Sequence, residues 1–222
     1  MACNCDAHRH FQNFIPDLKN HLLGRIRGTS YQGDEHQFTP EDRRSVHFTK
    51  NRIYHHKTVR FNYTTYDLRR DEDSVNPEKR ADVMLLSHED DTADPHPYWY
   101  ARVIGISHIF VQIRDPITRK FSDPKRFDIL HVRWFGRNLS VQSGWKAKRL
   151  HRIGFIPASD SDAFGFLDPA QVIRGVHLIP RFAGGRTSEY MGPSISRKPS
   201  EGNEDWVNFY VNWCVRSVQC PL

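Results

Sequence analysis

At 222 residues the chain is long enough for one fair-sized domain with extensions and an adequate core. A hydrophobic content of 38% and a charged content of 26% exclude wholesale disorder, and the formal charge of +6 favours an anionic partner. No run approaches the roughly 20 apolar residues of a membrane helix, and the opening MACNCDAHRH lacks the apolar centre of a signal peptide, so the nucleus or cytoplasm is expected, with no membrane contact.

In chain order, residues 11–26 carry a helical pattern, with Phe14, Leu18, Leu22, Leu23 and Ile26 on one face and Pro16 near the first turn. Thr39-Pro40-Glu41-Asp42 reads as a second helix start: a capping threonine, a first-position proline and acids in the first turn. Residues 53–68 are strand-rich, with Val59, Phe61, Tyr63 and Thr65 alternating with Arg60, Asn62 and Thr64. A short apolar strand is expected at 83–86, followed by an acidic loop at 88–96. The strongest signal covers 97–180. YWYARVIGI (98–106) and FDILHVRWFGR (127–137) are rich in aromatic and β-branched residues, and FLDPAQVIRGVHLIP (166–180) supplies a third β-rich run. In the second run Leu130, Val132 and Trp134 alternate with Ile129, His131, Arg133 and Phe135. The first set is expected to be buried with Val103 and Ile173. Residues 184–205 read as a polar linker and 206–211 as a terminal strand. The segments 114–126 and 192–205 are expected to be the most mobile internal stretches.

Charge is segregated along the chain. Between residues 67 and 94, ten acids face four bases; between 114 and 152, eleven bases face three acids. Such a division either creates a polar binding surface or lets the two halves attract each other, and a solvated face is the plainer explanation. Lys146, Lys148, Arg149 and Arg152 lie within seven residues, beside Trp145. Spaced cations suit a phosphate backbone, and aromatic faces suit unpaired bases. A second basic set, Arg119, Lys120, Lys125 and Arg126 with Arg114, occupies the long loop between two strands. Tyr98, Tyr100, Phe135 and Trp145 are candidates for an outward aromatic surface, including a cage for a methylated lysine; core packing is the plainer reading.

Cys3, Cys5, His8 and His10 have the chemistry of zinc ligands at a spacing tighter than that of zinc fingers. No metal or cofactor is therefore expected, and Cys3, Cys5, Cys214 and Cys220, clustered near the two ends, read as free thiols. There is no nucleophile elbow, phosphate loop, metalloprotease helix or dinucleotide fingerprint, so no catalytic residues and no small-molecule substrate are expected.

The strings FNYTTYDLRRDEDSVNP, HPYWYARVIGI, VRWFGR, AFGFLDPAQVIRGVHLIPRFAGGRTSEY and DWVNFYVN resemble the C-terminal region of large proteins encoded by Plavaka-type DNA transposons of basidiomycete fungi, over about residues 11–212. In that family the region follows a zinc-finger segment and a catalytic transposase domain. The resemblance implies a detached C-terminal piece that lacks both, in the nucleus. Family members continue past the NFYVN string with an acidic-basic segment and a glycine-rich end. Here Trp213-Cys214-Val215-Arg216 leads to Leu222, an ending that a frameshift, splice error or decayed copy would produce. More weakly, the YARVIGI, VRWF and VIRGVHLI strands are similar to bromo-adjacent homology domains, which bind chromatin and other proteins.

The expected fold is mainly β with flanking helices, built on a small, partly closed, bromo-adjacent-homology-like β-barrel. The expected divisions are a helical extension at 1–52, the barrel at 53–183, and a linker with a terminal strand at 184–222. Three functions follow. The first is a non-catalytic accessory domain or fragment of a transposase that binds DNA, chromatin or the rest of the transposase. The second is a stand-alone histone or protein reader. The third is a part of a metal-dependent transposase catalytic unit.

Overall fold

The computed structural model describes residues 6–29, 36–65, 68–88, 96–144, 147–192, 194, 197 and 202–212. Its helices are Asp6–Arg27 (α1) and Pro40–Ser45 (α2). The strands are Val46–His56 (β1), Val59–Thr64 (β2), Arg70–Val75 (β3), Asp82–Leu86 (β4), Tyr98–Ile113 (β5), Lys125–Arg137 (β6), Arg152–Phe155 (β7), Phe164–Leu167 (β8), Val172–Gly175 (β9), His177–Pro180 (β10), Arg186–Thr187 (β11), Asp205–Trp206 (β12) and Phe209–Asn212 (β13). The fold is thus mainly β with helices at one end of the chain, as the sequence indicates.

The antiparallel β5–β6 hairpin is the frame. Its outer edges are each shared by two strands. On β5, β4 pairs with the first half and β1 with the second; on β6, β8 pairs centrally and β7 at the end. The hydrogen-bonded path runs β10-β13-β7-β6-β5-β4-β9. The sheet does not close into a barrel, which corrects the expected partial barrel. Its two ends, β9 and β10, are consecutive in the chain and separated by Val176, so one segment links both edges covalently without pairing to itself. The sheet also extends past the expected limits. β1 runs across residue 52, and β13 lies between β10 and β7.

Three apolar clusters form where the alternating faces meet their partners. Leu130, Val132 and Trp134 of β6 pack with Val103 and Ile106 of β5 beneath the β2–β3 hairpin. Val172, not Ile173, fills the β9 position of this cluster; Ile173 is only partly buried. A bulge in the β4–β9 pairing, where Met84 pairs with Arg174 but Leu85 with Val172, leaves Ile173 as the extra residue and shifts the expected phase. On the opposite face, α1 lays Leu18, Leu22 and Leu23 against Ile109, Val111, Phe127 and Ile129. Each of these leucines is at most 2% exposed, a burial that contributes about 2 kcal/mol apiece. The helix begins upstream of the expected start, so Pro16 lies inside it rather than in its first turn. The third cluster joins Tyr100 and Phe135 to Ile153, Phe155, Leu178, Phe209 and Val211.

The α2 cap forms as read: the Thr39 side-chain oxygen accepts from the Asp42 N–H at 3.1 Å. The acidic segment 70–75 was not legible as a strand. It is held as β3 by cross-strand polar contacts, Glu72 with Arg60 at 3.4 Å and the Tyr63 hydroxyl donating to Asp71 at 3.1 Å. Asp73 accepts from Arg174 and from the Gly175 N–H, and Asp82 pairs with Arg102 at 2.6 Å. These acids therefore serve β9 and β5.

Within the stretch 184–205, expected as a linker and in part outside the described residues, Arg197 and Asp205 are anchored. Asp205 takes Arg133 of β6 at 2.9 and 3.1 Å and Arg197 at 2.7 and 3.1 Å, and all three side chains are at most 3% exposed. Arg197 also donates to the carbonyls of Gly192 and Met191. The Arg133 guanidinium lies 3.7 Å from the Phe155 ring centroid. The expected mobile loop 114–126 is also internally bonded: Asp115 accepts from the N–H groups of Ile117 and Thr118, and Ser122 returns its N–H to Ile113.

Candidate nucleic-acid interface

The lower half of the sheet has one covered face and one facing solvent. A bulge on β5 sets this division. Val103 pairs with Val132 but Gly105 pairs with His131, so Ile104 is the extra residue and the alternation resets. Beyond it, Ile109 and Val111 face α1, while His108 and Phe110 face away. Their neighbours on the open face are Tyr54 and His56 of β1 and Arg126 and Asp128 of β6.

These side chains form an aromatic platform with a cationic edge. The Tyr54 and His108 rings stack at 4.8 Å with a 9° interplanar angle, and His56 stacks on His108 at 4.9 Å. His56 Nε2 and His108 Nδ1 are 2.6 Å apart, within hydrogen-bonding distance. Phe110 meets His108 edge-on at 5.5 Å and Tyr54 at 6.3 Å. Burial against the sheet, then Arg126 and His56, push His108 below the ordinary histidine range, and Asp128 opposes them.

Cations ring the platform. Arg126 is the register partner of Phe110 and donates to Asp128 at 2.7 Å. On the other side β1 makes a four-residue excursion. Phe48 pairs with Val111 and Ile53 with Ile109, so residues 49–52 together oppose Phe110. Lys50 and Asn51 hold left-handed backbones there, at φ 57° and 54°. For lysine that conformation costs about 1 kcal/mol, and it places Lys50, Asn51 and Arg52 in solvent. The hairpin loop adds exposed Arg114, Arg119 and Lys120, and its turn is tied by Asp115. Backbone bonds from Thr118 and Ile117 hold the Asp115 carboxyl below the usual carboxylate range. Phe121, 51% exposed, lies edge-on to His47 at 4.9 Å. Within residues 49–52 and 114–128, and leaving out Lys125, six cations accompany three acids. Lys125 belongs to the other side, with its ammonium 5.3 Å from the Phe127 ring centroid.

The first basic set lies elsewhere. Lys148 and Arg149 are exposed on a turn closed by reciprocal backbone bonds between Gly144 and Arg149. Arg152 turns inward: its guanidinium packs at 5.6 Å over Tyr210 and its Nε is buried without a partner. Lys146 and Trp145 lie outside the described residues. The two basic sets sit at opposite ends of β6, separated by about 40 Å of extended chain at roughly 3.3 Å per residue, so they do not form one patch.

The expected aromatic surface does not form. Tyr100 is 1% and Phe135 7% exposed, both in the third core cluster with Tyr98 packed beside them. Hydrophobic burial across β7 and β13 takes these rings, leaving no cage. The rings that do reach solvent were missed, although SHIFVQI carried the signal: His108, Phe110 and Gln112 alternate with Ile109, Val111 and Ile113. Among the described residues, no three His, Cys, Asp or Glu side chains are grouped to hold a metal. Cys3 and Cys5 lie outside those residues, and the backbone of His8 and His10 falls in α1. Among the described residues, no helix is long and apolar enough to cross a membrane.

No family model matches the sequence, and neither a curated protein nor a solved structure matches the chain.

Proposed function

We propose that this chain is a non-catalytic, nucleic-acid-binding accessory domain of a transposon-encoded protein, acting in the nucleus, as its resemblance to the C-terminal region of Plavaka-type proteins implies. The observation that carries this reading is the cationic rim around the open face of β1, β5 and β6. Arg126 stands on one side of Phe110 and the strained Lys50–Arg52 excursion on the other. Cations fixed around a face that no helix occupies among the described residues suit a phosphate backbone. The relation to bromo-adjacent modules is a second, fold-level part of the proposal, supported by the β-rich sheet. As a methyl-lysine reader the chain is less well supported, because Tyr100 and Phe135 are committed to the core.

Gel retention with labelled DNA at low salt tests the proposal. The native chain retains DNA and releases it as salt rises. Combined Lys50→Glu, Arg52→Glu and Arg126→Glu replacement abolishes retention while the thermal melt is kept. Failure of the folded native chain to retain any nucleic acid at low salt overturns the proposal.

A further inference from the structure

The charged rim alone would suit any polyanion; the platform inside it is more selective. We infer that the Tyr54–His108–Phe110 face takes unpaired nucleotide bases, so that the ligand is a single-stranded nucleic acid and not a duplex. This rests on the nucleic-acid reading above and narrows it.

Three features carry the inference. The first is shape. The face spans three strands, β1, β5 and β6, at about 4.8 Å spacing, and side chains add to its width. A major groove about 12 Å wide admits a helix or a two-stranded ribbon and excludes a face of this breadth backed by a helix. Bases reach a flat platform only when they are splayed out of a duplex.

The second is chemistry. Tyr54, His108 and His56 already form a ladder of near-parallel rings, and Phe110 stands almost perpendicular to it at 84–87°. A base can extend the ladder or lie on Phe110, and every base has a π-face for this purpose. The ladder is compatible with such contact near neutrality because burial keeps His108 from protonating in its ordinary range.

The third is placement of charge. Arg126 and the 49–52 excursion flank Phe110 on opposite sides by register, so a strand crossing the sheet meets a cation before and after the ring. The excursion holds Lys50 in a backbone conformation that lysine rarely adopts. A backbone strained to set a cation at the rim of an aromatic face is the arrangement expected where a ligand is gripped.

The test uses the full chain and fluorescence anisotropy with three probes of equal length: oligo-dT, oligo-U and a mixed-sequence DNA duplex. Single strands are expected to bind at least about tenfold more tightly than the duplex, the scale of one base stacked on an aromatic ring. DNA and RNA probes distinguish which sugar is preferred, and tight binding of either supports the inference. Phe110→Ala and the better-packing Phe110→Leu should both weaken single-strand binding by about tenfold or more and leave duplex binding unchanged. The two variants together guard against loss through misfolding, and unchanged melting of Phe110→Leu confirms that its fold is intact. Equal affinity for duplex and single strands, or single-strand affinity unaltered in folded Phe110→Leu and Tyr54→Ala, overturns the inference while salt-sensitive binding leaves the broader proposal standing. Absence of binding to all three probes overturns both.

Discussion

Replacing Asp205 with alanine removes the shared anion of a buried charge cluster. Four hydrogen bonds of 2.7–3.1 Å are lost, two from Arg133 and two from Arg197. Two guanidinium groups, each 3% exposed, then face a low-dielectric interior with no carboxylate. Burial already pushes Arg133 below its ordinary range, with Asp205 as the first opposing influence and Arg197 and Arg102 adding to the depression. Charge-assisted hydrogen bonds contribute about 1.5–3 kcal/mol each, but the net loss is smaller than their sum. Arg197 retains the Gly192 and Met191 carbonyls, and the alanine cavity admits water to Arg133. Breaking a buried pair from one side costs about 3–5 kcal/mol. For a chain of this size that corresponds to a fall in Tm of about 10 °C. Urea unfolding followed by tryptophan fluorescence measures it, and limited proteolysis should show cleavage in 184–205 of the variant first. A loss under about 1 kcal/mol would refute the claim that Asp205 ties this stretch to β6.

Further outcomes follow from the same geometry. Val132 is fully buried in the first cluster, so Val132→Asp should cost about 4 kcal/mol or more through an unpaired buried charge; a soluble variant with a native melt would show the strand phase to be wrong. Because the folded His108 titrates below its ordinary value, the unfolded chain takes up that proton first. The stability His108 contributes is therefore fully present above its unfolded pKa and falls as pH drops through its lowered folded value. His108→Gln should flatten this part of the pH profile of the urea midpoint, and an identical slope in both proteins would contradict the assignment. Lys148→Glu with Arg149→Glu, at the far end of β6, should leave nucleic-acid affinity within about twofold apart from long-range charge, which salt screens beyond roughly 10 Å. A complete loss would move the site to that end.

Much of the frame was readable in the residues. The leucines of α1, the Thr39 cap, and the two aromatic, β-branched runs that became β5 and β6 all obey local rules of period and capping. What was missed depends on partners distant in sequence. Asp205 looks like one more acid in a polar run, and only Arg133, 72 residues away, makes it a buried anchor. The acids of β3 have low strand propensity and form a strand because Arg60 and Arg174 lie across from them. Alternation in β5 was read up to Ile106, but the bulge at Ile104 reverses which face meets the core. Tyr100, before the bulge, is buried by β7 and β13, whereas beyond the bulge the shifted alternation turns Phe110 to the face opposite α1, beside the charged loop. Proximity in sequence also overstated the Lys146–Arg152 cluster, because β7 turns Arg152 toward Tyr210.

The central claim is that an anionic strand is gripped at the rim of the β1–β5–β6 face. The most direct measurement is the salt dependence of oligo-dT affinity for the native chain and for the Lys50→Glu, Arg52→Glu, Arg126→Glu variant. Three or four phosphate contacts predict a slope of log K against log salt of about −2 to −3 for a single strand, and a variant whose binding is lost at every salt concentration. A native slope near zero, or a folded variant that binds as tightly as the native chain, would contradict the account.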